Sequence, residues 1–348
     1  MALAWLAATL ASGCASRSIS IAQETRPLRA EDGFTLATHA LFQWKGGSLE
    51  EEAASRSPSG VLVYVQGSED TTVSSVAEQL AGACAMGLDV IAVERRGVTP
   101  DGRVDQAIAR RYCTKARRVA DERLLVADYL ARHPAITEHA MPIIVMGASE
   151  GADVAAALAA SEGRVTHLIL IAGGGGWSQA DEFRHLLAAH RMVIPGATTA
   201  DELEARFGDI RAHPDADTPW FGHPYRRWAS FLFDRPSDDL IRLSIPILAI
   251  HGDADQSVPV ESARALRDRF VAEGRANLRL LEYPGVDHRL MDVATGTTVR
   301  PWVELDAIAW LASQGALPEE AAQAFTSRVL AAHPELQLRR DAEAGDRR

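Results

Sequence analysis

The stretch "PIIVMGASEGADVAAALAA", residues 142–160, runs an apolar segment through a small-residue turn containing one serine and on into an alanine-rich amphipathic run. A short, branched apolar run ending at glycine suits a strand buried on both faces, and apolar positions three and four apart suit a helix. The join between them is a sharp strand-to-helix turn with Ser149 at its apex. Two roles for that serine stay open on these residues alone. It can be a nucleophile thrust out at a strand end, or the N-cap of an ordinary helix, a position serine favours.

The same strand signature recurs on both sides. "GVLVYVQG" (60–67), "GLDVIAVERRG" (87–97), "RVTHLILIAG" (164–173), "SIPILAIHG" (244–252) and "NLRLLEYPG" (277–285) are short apolar runs ending at or near glycine, and "FTLATHALFQW" (34–44) alternates as an early strand. Helical patterns over 72–86, 115–132, 150–160 and 261–273 separate them. Alternating strands and helices imply an α/β protein built on a doubly wound, mostly parallel sheet. The interval 173–243 breaks the alternation, with helical and aromatic segments but no clear buried strand, and is expected to form a helical cap. The chain thus divides into an N-terminal segment over 1–24, a main domain over 25–316 carrying the cap, and a tail over 317–348 that starts helical and ends in solvated charge.

A net charge of −11 over 348 residues excludes a general affinity for nucleic acid through a basic face. After the first residues no apolar run is long enough to span a membrane. "MALAWLAATLASGCAS" (1–16) resembles a bacterial lipoprotein signal. That resemblance implies export, lipidation of Cys14 and membrane attachment through the N-terminus; the alternative is a cytosolic protein with a frayed start. An exported chain could bridge Cys84 to Cys113, whereas in a cytosolic one they would be buried thiols. Neither cysteine has the spacing of a metal site, and no metal or other cofactor is expected.

Around Ser149 the residues G-A-S-E-G (147–151) fit the G-x-S-x-G elbow, in which Gly147 and Gly151 relieve crowding at the turn. The helix that follows places the N–H of Glu150 beside any developing oxyanion. A serine nucleophile needs a base and an orienting acid, in the chain order Ser, Asp or Glu, His for a sheet of this kind. "IPILAIHGDADQSVPVESARALRDRF" (245–270) offers Asp253 and Asp255 in a strand-to-helix loop, and "LRLLEYPGVDHRLM" (278–291) offers His288 just after the next strand.

With these residues in order the chain resembles the α/β-hydrolase superfamily from about 34 to 316. The resemblance implies a serine hydrolase acting on carboxylic esters or thioesters through an acyl-enzyme, with a small-molecule acyl substrate. A peptidase, an acyltransferase or a non-catalytic binding protein of the same fold are the alternatives. Gly252, Asp255, Val258 and Pro259 match the family's acid loop and favour Asp255 over Asp253. Pro284, Gly285 and His288 match its base. The segment Q-G-S (66–68) stands where the family has its oxyanion loop, making the Ser68 N–H the second donor, and Arg96 matches a residue that braces the loops. Gly67, Trp177, Trp220, Phe221 and Trp228 are the candidate pocket residues, with Arg226 and Arg227 close by in the cap. The glycine run over 173–176 reads either as a hinge or as a packing turn.

Overall fold

The computed structural model describes residues 20–44, 46, 48, 51, 56–69 and 71–332, and the backbone of 2–6. The strands are β1 (Ala2–Leu6), β2 (Ser20–Arg29), β3 (Thr35–Trp44), β4 (Gly60–Val65), β5 (Leu88–Val93), β6 (Ile143–Ala148), β7 (His167–Ile171), the two-residue pieces β8 (Pro219–Trp220) and β9 (His223–Pro224), β10 (Ile247–Gly252) and β11 (Leu278–Tyr283). Among the described residues nine of them form one sheet in the order β1-β2-β3-β5-β4-β6-β7-β10-β11. From β5 to β11 every neighbour is parallel, and β1, β2 and β3 extend the sheet antiparallel at one edge.

Strand periodicity explains the burial. Val61, Val63 and Val65 point to one face, and Leu62 and Tyr64 to the other. The longer helices are α1 (Lys115–Arg132), α2 (Glu150–Ser161), α3 (Gln179–Ala188), α4 (Ala200–Ala212), α5 (Tyr225–Phe231), α6 (Val260–Ala272), α7 (Arg300–Ser313) and α8 (Glu319–Ala332). On the first face Leu125 and Tyr129 of α1, Val154 and Leu158 of α2 and Phe270 of α6 meet the valines. On the second, Val303, Ile308 and Leu311 of α7 and Phe325 of α8 cover Leu62, Leu88 and Ile169. A sheet covered on both faces has no solvent side, which is why its strands read as continuous apolar runs.

Three details depart from the sequence expectation. The segment 72–86 is not one helix but Val73–Val76, a 3-10 turn over Ala77–Leu80 and a short helix Ala81–Ala85. Within it the Gly82 N–H donates to Glu304 Oε1 at 2.8 Å, a side chain breaking into the helical ladder. Strand β2 went unread because Arg26, Pro27 and Arg29 interrupt its alternation, although Pro27 is tolerable so near the sheet's edge. The bridge between Cys84 and Cys113 does not form. Cys84 is buried beneath one sheet face among Leu80 and Met86, whereas Cys113 precedes α1 on the other face and donates to Arg110 O, so the sheet separates two free thiols. Burial pushes the Cys113 thiol up to about 11, which makes it a poor nucleophile. Cys14 lies outside the described residues. Among the described residues no helix is long and apolar enough to cross a membrane.

The cap comprises α3, α4, α5, the β8–β9 ribbon and a short helix Pro236–Leu240. It has an aromatic core of its own, in which the rings of Phe183 and Trp228 lie 5.5 Å apart and those of Trp220 and Trp228 5.0 Å apart. The glycine run before it is a packing turn: a Cβ at Gly176 would sit 2.5 Å from Leu266 N, so only glycine lets this backbone lie against α6.

Candidate active site

Strand β6 ends at Ala148, and Ser149 turns the chain into α2 with φ 53° and ψ −127°. That left-handed conformation is one L-residues avoid, at a cost on the order of 1–3 kcal/mol, and it persists only where the surroundings impose it. The Ser149 N–H donates to Ile171 O at 2.8 Å, while Ser149 O accepts from Ala152 N at 2.8 Å. The flanking glycines are required by close approach. A Cβ at Gly147 would lie 2.7 Å from Ala155 Cβ, and one at Gly151 would lie 2.5 Å from Gln66 O. Ser149 therefore precedes the first helical residue, as an N-cap would, but its side chain makes no cap hydrogen bond.

The hydroxyl meets an imidazole instead. His288 Nε2 lies 3.0 Å from Ser149 Oγ, and His288 Nδ1 lies 2.8 Å from Asp255 Oδ2. Asp255 is fully buried, and its second oxygen accepts from the N–H groups of Ser257 at 2.8 Å and Val258 at 2.9 Å. Burial alone would push its carboxyl up, but hydrogen bonds from His251 and His288 and their charge hold it well below the usual carboxylate range. His251 lies at the end of β10, buried, with Nε2 2.9 Å from Val258 O and 3.3 Å from Asp255 Oδ2. Asp253 does something else: its Oδ1 accepts from the Gly285 N–H at 2.6 Å and ties down the turn after β11.

The loop after β4 passes over the serine. A Cβ at Gly67 would be 3.5 Å from Ser149 Cβ, and Ser68 borders the same cavity. Arginines brace this loop from behind. Arg95 donates to Ser68 O at 2.8 Å and to Glu69 O at 2.7 Å, and Arg118 of α1 donates to Gln66 O. The Gln66 amide donates to Thr71 O at 3.0 Å, closing the loop on itself. Arg96 holds the outer wall through Asp121, with two bonds of 2.7 Å, and Asp32 at 2.6 Å. Glu150, as the first residue of α2, has no intrahelical acceptor for its N–H, which lies at the positive end of the helix.

The Glu150 side chain is not the solvated first-turn carboxylate its position in the sequence suggests. It is buried, accepts from Arg118 Nη1 at 2.6 Å and from Arg227 Nε at 2.7 Å, and is bonded to Arg227 Nη2 as well. Burial pushes the carboxyl up, yet the two guanidinium groups outweigh it and bring it down to about 2. Arg227 also lies over the rings of Trp228, 4.1 Å from the centroid, and Phe231, 4.7 Å. One carboxylate thus joins the elbow, the helix behind the oxyanion loop and the cap.

A cavity of about 1070 Å³ opens on Ser149 and His288. Gly67, Phe221 and Trp228 border it as expected, whereas Trp177 and Trp220 do not. The Trp177 ring lies tilted against His185 with centroids 5.1 Å apart, and Trp220 is buried in the cap core with its indole N–H donating to Pro195 O at 2.9 Å. Arg227, placed near the pocket by the sequence, borders the cavity, and so do Phe183 and Met192, which the sequence did not single out. Phe183 could have been found from its spacing to Leu186 on an amphipathic helix, but no local signal pairs Arg118 or Arg227 with Glu150.

Behind the clasp, near Arg118, Glu122 of α1 is buried, and its Oε2 has no hydrogen-bond partner among the described residues. Burial outweighs the nearby Arg118 and pushes this carboxyl from 4.5 up to about 8. The folded state therefore holds the proton more tightly than the unfolded chain, so stability falls as pH rises from 4.5 through about 8. Glu122→Gln removes that dependence. Its Tm is expected to exceed that of the wild type above pH 8 and to converge with it near pH 5, as thermal melts at the two pH values would measure.

No protein-family model and no curated protein matches the chain. Solved structures do. A highly thermostable carboxyl esterase from Bacillus coagulans, crystallised with glycerol, superposes with a TM-score of 0.57 at 19% identity, over 84% of this chain and 98% of that one. Est1E from Butyrivibrio proteoclasticus gives 0.53 at 17% identity, over 84% and 99%. An acylaminoacyl peptidase from Pyrococcus horikoshii gives 0.54 at 14% identity, over 83% of this chain but 41% of that longer one. The chain has the α/β-hydrolase fold.

Proposed function

We propose that this protein is a serine hydrolase that cleaves a carboxylic ester or thioester by way of an acyl-enzyme. What supports it above all is one unbroken line of hydrogen bonds, Asp255 to His288 at 2.8 Å and His288 to Ser149 at 3.0 Å, ending at a cavity large enough for a substrate. Asp255, anionic and buried, keeps a proton on His288 Nδ1 and leaves Nε2 as the acceptor. Ser149 Oγ gives its proton to Nε2 as it bonds to the acyl carbon, and the carbonyl oxygen becomes an oxyanion facing the N–H groups of Glu150 and Ser68. As the tetrahedral centre collapses, the bond to the alcohol or thiol breaks and the leaving group takes the proton from Nε2. Water then repeats the sequence: it yields a proton to His288, attacks the acyl carbon and releases the acid, returning the proton to Ser149.

The arginine clasp bears on substrate choice. Arg227, the cap cation that borders the cavity, is committed to Glu150 and is therefore not free to pair with a substrate carboxylate. A fluorophosphonate probe tests the proposal. Labelling of wild-type protein that Ser149→Ala abolishes is the expected result; folded wild-type protein that stays unlabelled and cleaves neither p-nitrophenyl esters nor thioesters would refute it.

A further inference from the structure

From Ser149 the cavity extends in two directions. One branch rises toward the cap, between Phe183, Met192, Phe221 and Trp228. The other descends along the face of the central sheet. Its floor is Met146 of β6, Tyr64 and Leu62 of β4, Ile169 of β7 and Leu88 at the start of β5. Its roof is Ala83 together with Val303, Ala307 and Ile308 of α7, and Leu311 and Leu317 border the same void. Register sets the depth. Ser149 lies just past Gly147, which is level with Val65, and Leu88 at the far end is level with Gly60, five residues earlier on β4, about 16 Å at the usual strand rise; between them Tyr64 and Leu62 face the cavity.

Interiors pack to crystal density with few gaps larger than a water molecule, and aliphatic side chains facing empty space forfeit their contacts. Polar groups on this wall are mostly engaged. Glu304 accepts the Gly82 N–H at 2.8 Å, and Arg300 is bonded to Gln79. Burial pushes the Glu304 carboxyl up to about 7, so it is partly protonated at neutral pH and tolerates an apolar neighbour. The apolar lining runs between strand side chains and α7 from Tyr64 to Leu88, an elongated path that matches the shape of an extended methylene chain.

We propose that the sheet-side branch holds the unbranched alkyl chain of a fatty acyl group whose carbonyl sits at Ser149, so that long-chain fatty acyl esters or thioesters are the substrate class. The chain is drawn in by removal of its apolar surface from water, and the cap-side branch is left to the alcohol or thiol. This assignment rests on the hydrolase function proposed above, but its first test does not need turnover. Full-length Ser149→Ala protein is titrated with a fluorescent long-chain fatty acid, and displacement is followed with unlabelled dodecanoate and acetate. Expected are saturable binding, displacement by dodecanoate but not by acetate, and at least a tenfold loss of affinity when Ala307→Phe plugs the roof. Because an overfilled core can unfold, Ala83→Phe plugs the branch from a second segment, and a thermal melt checks that each variant is folded. Absence of saturable binding, or binding that neither folded plug weakens, would overturn the assignment. In the wild type, kcat/KM for p-nitrophenyl esters is expected to rise at least tenfold from acetate to dodecanoate. Cleavage of acetate with no such rise, or a preference for long alkyl acetates instead, would overturn the chain assignment while leaving the hydrolase function standing.

Discussion

Ser149→Ala is expected to lower kcat for a p-nitrophenyl ester by about 10⁴-fold or more, and to leave the fold intact. In the proposed mechanism Oγ is the atom that bonds to the acyl carbon, so without it the residual rate would come from the oxyanion donors and from binding. The fold should survive because the strained turn is held by backbone bonds to Ile171 and Ala152 and by the glycines around it, none of which involves the hydroxyl. His288→Ala should fall to a similar level, and the double variant should fall no further, since the two residues act as one unit. Asp255→Asn would lose about as much by presenting the wrong tautomer of His288. Steady-state kinetics with burst analysis checks all four proteins. A Ser149→Ala enzyme retaining a tenth of wild-type kcat would place the nucleophile elsewhere.

Glu150→Ala is expected to cost about 3–5 kcal/mol of stability, among the largest single losses available in this chain. The reason is not the worth of the ion pair, which desolvation largely cancels, but the two buried guanidinium groups of Arg118 and Arg227 left facing each other with no anion between them. Urea denaturation at pH 7 measures the loss. Its pH dependence carries a sign. The Glu150 carboxyl is lowered from 4.5 to about 2 in the folded protein, so its stabilisation is complete above pH 4.5 and is lost as pH falls toward 2. The gap between wild type and variant should narrow over that window. Activity should fall alongside stability, because the same carboxylate links the elbow to the arginine behind Gln66 and to the cap. A Glu150→Ala variant as stable as wild type would show that the clasp is not a structural keystone.

Much of the fold was legible because a sheet buried on both faces writes itself as continuous apolar runs, and β4 through β7 and β10 follow that rule, while β3 is legible from its alternation. Strand β2 was not, since Arg26, Pro27 and Arg29 fall in its second half, which runs beyond β1 and, among the described residues, pairs only with β3. The segment 72–86 shows helical periodicity, but the Glu94 and Glu304 carboxylates, distant in sequence, take the N–H groups of Val73 and Gly82, contacts that local pattern does not show. In the site, Ser149, Asp255 and His288 stand at strand ends in a recognisable order, and the structure brings the three together. The pocket was legible in part: Phe221 and Trp228 face the cavity, whereas Trp177 and Trp220 pack into the cap, because an aromatic-rich stretch is equally good at forming a core.

By itself the sequence determined the alternation of strand and helix, the elbow at 147–151 and the three residues available to meet there, because each depends on local spacing and on small side chains at a turn. The acid loop already favoured Asp255 over Asp253, and what the tertiary structure adds is that Asp255 lies buried against the His288 imidazole while Asp253 binds the Gly285 N–H. The tertiary structure alone decided that Glu150 is clasped by Arg118 and Arg227, and that Cys84 and Cys113 stand on opposite faces of the sheet. These are contacts between elements distant along the chain, and distance in space is the one quantity that local pattern does not carry.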